Sequence, residues 1–147
     1  MKILTPSHFA DYEMIDSGNY KKLERFGSFI LSRPEPQAVW DTQLPEKEWD
    51  KCLHAEFVRD KANPEKGVWS LKDSMKEQWF VKYKFNSLNL KFRLGLSGFK
   101  HVGLFPEQAP NWNYIYEKVS QMKTEKPKVL NLFAYTGGAS IAARAAG

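Results

Sequence analysis

The chain of 147 residues has one cysteine, Cys52, so it can form no internal disulfide, and no Cys-rich metal site can be built from it. A cytoplasmic setting is therefore expected, with the thiol packed among the apolar residues around Trp49 and Leu53. Long apolar runs are also missing. No segment is long enough to cross a bilayer, and the amino end, Met1 to His8, has no apolar stretch followed by a cleavage signal, so neither membrane insertion nor secretion is indicated. The three histidines, His8, His54 and His101, stand apart from one another and from any useful carboxylate spacing, so no metal is expected. Glu56 and Asp60 read as solvated charges. Nowhere does Gly-Lys-Ser or Gly-Lys-Thr follow a glycine turn, which removes a P-loop, and the Gly-x-Gly-x-x-Gly pattern of dinucleotide sites is absent. Acidic residues are the scarcer sign, 17 against 22 Lys and Arg, and the excess of +5 favours solubility and some affinity for polyanions. With 42% apolar and 14% aromatic residues, the composition is that of a folded chain.

Several strands are predicted. Asp16-Ser17-Gly18-Asn19 reads as a turn ahead of Lys22 to Gly27, and Phe29-Ile30-Leu31 as a strand that Pro34 and Pro36 terminate. Trp49, Leu53 and Phe57 share a fourfold spacing that suits one helical stripe, although Phe57-Val58 equally suits a strand. Asn63 to Gly67 reads as a turn before Val68 to Leu71. Trp79 to Phe85 and Leu88 to Leu94 alternate apolar or aromatic residues with basic ones around Asn86-Ser87, which predicts a hairpin with one packed face and one wet, basic face. Trp112, Ile115, Tyr116, Val119 and Met122 recur at intervals of three and four, which predicts an amphipathic helix beginning near, and capped by, Asn111. Lys126-Pro127-Lys128 then ends it.

The segment with most chemistry is Val129-Leu130-Asn131-Leu132-Phe133-Ala134-Tyr135-Thr136-Gly137-Gly138, an apolar strand pattern running into paired glycines and a small-residue helix. Glycines permit a sharp turn and close approach of a ligand, and the amides at the helix start can meet a polar group. On chemistry alone this is either a small-molecule cofactor turn or a structural turn between strand and helix.

Leu130 to Gly138 resembles the first signature motif of class I S-adenosylmethionine (SAM)-dependent methyltransferases, especially the branch that contains the large-subunit ribosomal RNA cytosine-5 methyltransferases. Gly98 to Gln108 resembles that branch's segment before the catalytic domain, with Lys100, Gly103 and Gln108 matching, while Val102 stands for Thr and Ala109 for Arg. Lys22 to Gly27 and Arg33 to Trp40 are similar to the opening of a bacterial subgroup. The resemblance implies an α+β chain: a mainly antiparallel β accessory or substrate-recognition domain over residues 1–107, then the truncated start of a Rossmann-like α/β methyltransferase domain over 108–147. It implies SAM as cofactor, held by Phe133, Ala134, Tyr135, Thr136, Gly137 and Gly138 with Gln108. The acidic ribose ligand, an Asp-Pro-Pro type segment and a cysteine nucleophile would all belong to a missing carboxy-terminal portion. No catalytic residue is then expected in this chain, Cys52 does not inherit the role, and the piece alone should be inactive.

Lys82, Lys84, Lys91, Arg93 and Lys100 lie in a stretch without acidic residues, interleaved with Trp79, Tyr83, Phe85 and Phe92. Such a surface suits RNA, ribosomal RNA under the resemblance, with phosphates on the cations and bases on exposed rings; it equally suits an ordinary sheet with buried rings and solvated lysines. Two other functions stay open: a non-catalytic RNA-binding or protein-interaction module, and methyl transfer to a protein or small molecule.

Overall fold

The computed structural model describes residues 3–6, 8–63, 66–123 and 126–147. Two compact units emerge, and they interleave along the chain: one comprises residues 11–81 and 93–102, the other residues 1–10, 82–92 and 103–147. The compact units cut the chain differently from the expected division into domains at 107 and 108.

The first unit is built on a five-stranded sheet, β1 (Tyr12–Gly18), β2 (Lys21–Phe26), β3 (Phe29–Pro34), β4 (Ala55–Arg59) and β5 (Gly67–Leu71), in that spatial order. β1–β2, β2–β3 and β4–β5 pair antiparallel, whereas β3 and β4 pair in parallel. A parallel pair needs a crossover, and residues 35–54 supply it, including the short helix α1 (Glu46–Cys52). Trp49 and Phe57 therefore share no helix, since Trp49 lies in α1 and Phe57 in β4. The first turn also lies later than the sequence suggests. Asp16, Ser17 and Gly18 belong to β1, and Gly18 pairs with Lys21 across Asn19 and Tyr20, both at positive φ (48° and 62°) as a two-residue hairpin loop requires. Pro64 and Glu65 of the expected turn at 63–67 lie outside the described residues.

The predicted hairpin forms as β6 (Gln78–Phe85) and β7 (Leu88–Gly95), paired as a separate two-stranded sheet. Its alternation is the expected one: Trp79, Val81 and Tyr83, then Leu88, Leu90, Phe92 and Leu94, are buried, and the intervening positions are exposed. Residues 78–81 and 93–95 are counted with the sheet unit and 82–92 with the other.

In the second unit a 3-10 turn at Pro106–Gln108 leads into α2 (Ala109–Ser120), and α3 (Gly138–Ala145) packs on it. α2 starts two residues before Asn111, with Pro110 in its first turn, where a missing amide costs nothing. Asn111 is no cap: its Nδ2 donates to Gln108 Oε1 at 2.8 Å. The core of this unit is aromatic. Trp112 sits 4.9 Å from Phe92, 5.4 Å from Tyr83 and 6.2 Å from Phe9 between ring centroids, and Tyr83 Oη donates to Asn113 Oδ1 at 2.7 Å. Burial pushes the Tyr83 phenol's pKa up, against the downward pull of that bond.

One expectation fails. Residues 127–137 contain no strand, and Leu130, Leu132 and Phe133 are 81%, 75% and 92% exposed. An apolar run becomes a strand when a neighbour accepts its ladder, and no strand among the described residues pairs with it.

Candidate cofactor site

The turn into α3 takes its shape from its backbone. Gly137 adopts the left-handed conformation, φ 92°, as the residue before the helix, and its N–H donates to the Ala134 carbonyl at 2.7 Å, closing a tight turn over Tyr135 and Thr136. Glycine takes that φ without a Cβ penalty. Gly138 answers a different need. A Cβ there would lie 3.0 Å from Trp112 Nε1 and 3.2 Å from two further ring carbons, so the absence of a side chain lets α3 start directly against the tryptophan.

Beside this turn lies a cleft of about 280 Å³. Gln108, Phe133, Ala134, Tyr135, Thr136 and Gly138, six of the seven residues expected around a cofactor, line it. Gly137 does not line it and acts through the conformation of the turn. The remaining lining, Leu104, Phe105, Trp112 and Ala139, was not expected in this role. Trp112 had been legible only as a core position of a helix, and Leu104 and Phe105 lie some thirty residues from the glycines, a distance that no local spacing rule spans. Among the described residues no charged side chain borders the cleft.

The five cations singled out for RNA divide. Lys82, Lys84, Lys91 and Arg93 occupy exposed positions of the β6–β7 alternation, whereas Lys100 is half-buried and its carbonyl accepts from Arg33 Nη1 at 3.2 Å. Trp79, Tyr83 and Phe92 occupy the buried positions, where they offer no face to a base, and Phe85 is half-buried.

The sheet unit holds its own polar groups, none of which sequence spacing identified. Glu24 and Arg33 are 1% and 4% exposed; Arg33 Nε and Nη2 both donate to Glu24 Oε2, at 2.8 and 2.6 Å, and Tyr12 Oη donates to Glu24 Oε1 at 3.0 Å. The Asp16 carboxylate accepts from the amides of Ser17, Gln43 and Leu44 and from Trp49 Nε1, all at 2.8–3.2 Å. Burial pushes its pKa up, but those four bonds outweigh it and hold the group below its ordinary value. A polar cleft of about 190 Å³ is bordered by Lys21, Ser32, Glu46, Asp50 and Glu56, with Lys21 Nζ 2.6 Å from Glu56. Glu56 is thus ion-paired, and Asp60 accepts from the amides of Ala62 and Asn63 in a turn. Cys52 is half-buried with Sγ 3.4 Å from the Trp49 carbonyl, and His54 Nδ1 accepts from the Ile30 amide at 3.1 Å. Among the described residues no group of three or more His, Cys, Asp or Glu could hold a metal ion, and no helix is long and apolar enough to cross a membrane.

Solved structures resemble the whole of this chain. Over its full length it is 38% identical to a SAM-dependent methyltransferase from Agrobacterium tumefaciens, with a TM-score of 0.84, and spans 44% of that protein. A structure from Streptococcus mutans, provisionally named a SAM-dependent methyltransferase, matches over 95% of this chain and 37% of its own, with 17% identity and a TM-score of 0.59. No protein-family model matches the chain, and no curated protein matches it. The chain has the mixed α+β fold of part of a class I-like SAM-dependent methyltransferase, with a β-sheet region and carboxy-terminal helices, and it spans less than half the length of each of these two proteins.

Proposed function

We propose that the chain is part of a SAM-dependent methyltransferase and that the cleft beside the glycine turn receives the methionine side and the sulfonium of SAM. The observation that carries this reading is the gathering of Gln108, Phe133, Ala134, Tyr135, Thr136 and Gly138 around one cleft. The cleft's chemistry fits the group. Its wall includes the rings of Phe105, Phe133 and Tyr135 and, among the described residues, no fixed cation, and a cation against an aromatic face gains about 0.5–2 kcal/mol. At about 280 Å³ it falls at the lower edge of the roughly 300–1,000 Å³ common for small-molecule pockets, which suits one end of SAM rather than all of it.

When bound, SAM supplies an electrophilic methyl group on a positively charged sulfur. The chain's own part is to bind and orient. Gly137 sets the turn, Gly138 lets the helix start approach Trp112, and the rings of Phe105 and Tyr135 border the sulfonium side. The groups that hold the ribose and activate the substrate lie in a carboxy-terminal portion of the enzyme. The exposed run of Leu130, Leu132 and Phe133 supports this, because such side chains are those of a buried parallel strand awaiting neighbours. The 147 residues alone are then inactive.

For the substrate we favour RNA, ribosomal RNA in particular, within the cytosine-5 branch that the sequence resembles. Support comes from the exposed Lys82, Lys84, Lys91 and Arg93. With the neighbouring rings buried, contact there is electrostatic, so affinity should fall steeply with salt. Calorimetric titration of SAM into this chain and into a longer protein containing it tests the reading. Binding to the longer protein with weak or no binding to the chain is expected. No binding to either folded protein overturns it and favours an interaction module.

A further inference from the structure

The glycine turn keeps its shape where the strand leading into it has none, so something other than a sheet must hold it. Two contacts from one segment do so. The Phe105 and Tyr135 rings stack with centroids 4.4 Å apart at 25°, and Thr136 Oγ1 donates to the Gly103 carbonyl at 2.7 Å. Both grip residues at the crest of the turn that the Gly137 amide closes on Ala134.

Tyr135 also holds a conformation that side chains resist. Its φ is 48°, at the turn position normally given to Gly, Asn or Asp. Left to itself a tyrosine there would relax and open the turn. Strain of this kind persists only where surrounding contacts over-determine it.

We propose that Phe105 and Thr136 are positioning residues that hold the glycine turn in its ligand-ready shape, Phe105 acting through the strained Tyr135 and Thr136 through the Gly103 carbonyl. The segment around Phe105 is thus a template for the cofactor turn, set before any ligand arrives. This rests on the cofactor reading above only for the identity of the ligand. The latch itself is a property of the free chain. Without it the turn populates open forms, and apparent affinity falls by the fraction that remains competent.

The test uses four variants of the full chain. Phe105→Leu keeps apolar bulk and loses the stack, and Phe105→Tyr restores a ring. Thr136→Val keeps the shape and loses the donor, and Thr136→Ser keeps the donor. Hydrogen exchange at the Gly137 amide, without ligand, should quicken about fivefold in Phe105→Leu and in Thr136→Val and stay within about twofold in the two conservative variants. Exchange at Tyr116 in the middle of α2, in the same unit, and at Leu23 in the sheet unit should not change and so reports that both units of each variant stay folded. In a longer protein that binds SAM, the Phe105→Leu/Thr136→Val double variant should raise Kd at least about threefold. Unchanged Gly137 exchange in both disruptive variants overturns the latch. Quickened exchange with no SAM binding by the unsubstituted proteins upholds the latch and removes the cofactor reading instead.

Discussion

Substituting Gly138 by alanine separates packing from conformation at the turn. The added Cβ would lie 3.0 Å from Trp112 Nε1 and 3.2 Å from its Cε2 and Cζ2. Relief requires a shift of a few tenths of an ångström, and Trp112 is badly placed to give way: it is 3% exposed and meets the rings of Phe9, Tyr83 and Phe92. Overpacking of this kind costs about 1–3 kcal/mol. Against it stands the gain of replacing glycine in a helical position, up to about 1 kcal/mol. The net expectation is destabilisation by about 1–2 kcal/mol, read by urea unfolding followed by far-ultraviolet circular dichroism. Gly137→Ala gives the contrast. Its Cβ meets nothing within 4 Å, but φ is 92°, so its cost of about 1–2 kcal/mol is conformational. In a Trp112→Phe background, which removes the three crowding atoms, Gly138→Ala should become neutral or stabilising, whereas Gly137→Ala should cost what it did before. The diagnostic quantity is therefore a coupling of about 1–2 kcal/mol between positions 112 and 138 and none between 112 and 137. Additivity of Gly138→Ala with Trp112→Phe would refute the steric account of the second glycine.

Two further outcomes concern the sheet unit, which contains Trp40, Trp49, Trp69 and Trp79 and so dominates the intrinsic fluorescence. Asp16 has a folded pKa below its ordinary 3.8, so its stabilising contribution is present above that pH and is lost as pH falls from there through the folded value. Asp16→Asn, which turns a donor toward N–H groups, should cost about 1–3 kcal/mol at pH 7 and flatten the acid limb of stability below about pH 4; an unchanged acid limb in fluorescence-detected urea unfolding would remove Asp16 as its source. Arg33→Met leaves Glu24 buried without its main partner and should cost about 3–5 kcal/mol, while the Glu24→Met/Arg33→Met double variant should cost far less than the sum of the singles. Additive losses would mean that the two side chains do not act as a pair.

The sequence was most legible where local rules suffice. Period-two alternation located β6 and β7 and their faces, and the same alternation put Trp79, Tyr83 and Phe92 opposite Lys82, Lys84 and Lys91, which is why the rings are buried. β2 was opaque for the opposite reason. Four of its six residues are charged, which reads as surface, yet Glu24 pairs with Arg33, Arg25 with Glu13 at 3.2 Å and Lys21 with Glu56 at 2.6 Å. Those partners are distant in sequence, so only the fold makes the strand acceptable. The candidate site divides in the same way. The glycines and the residues before them are contiguous and were legible. Leu104, Phe105 and Trp112 complete the cleft from positions that only packing brings near.

The failed strand makes a physical point about how such a site is assembled. Residues 129–132 have the composition of a buried strand, and the turn that follows has the composition of a cofactor loop, so a sequence reading couples the two. In the structure they separate. The strand is a cooperative object, whose backbone groups need a ladder and whose side chains need helices on both faces, and it does not form without them. The turn depends on short-range terms: one amide closing on Ala134, one hydroxyl on the Gly103 carbonyl, one ring stack, and a glycine against Trp112. All of these come from α2, the segment before it and the turn itself. The cofactor turn is therefore specified independently of the sheet that would later surround it, and its geometry should be retained in the free chain while Leu130 and Leu132 remain open to solvent.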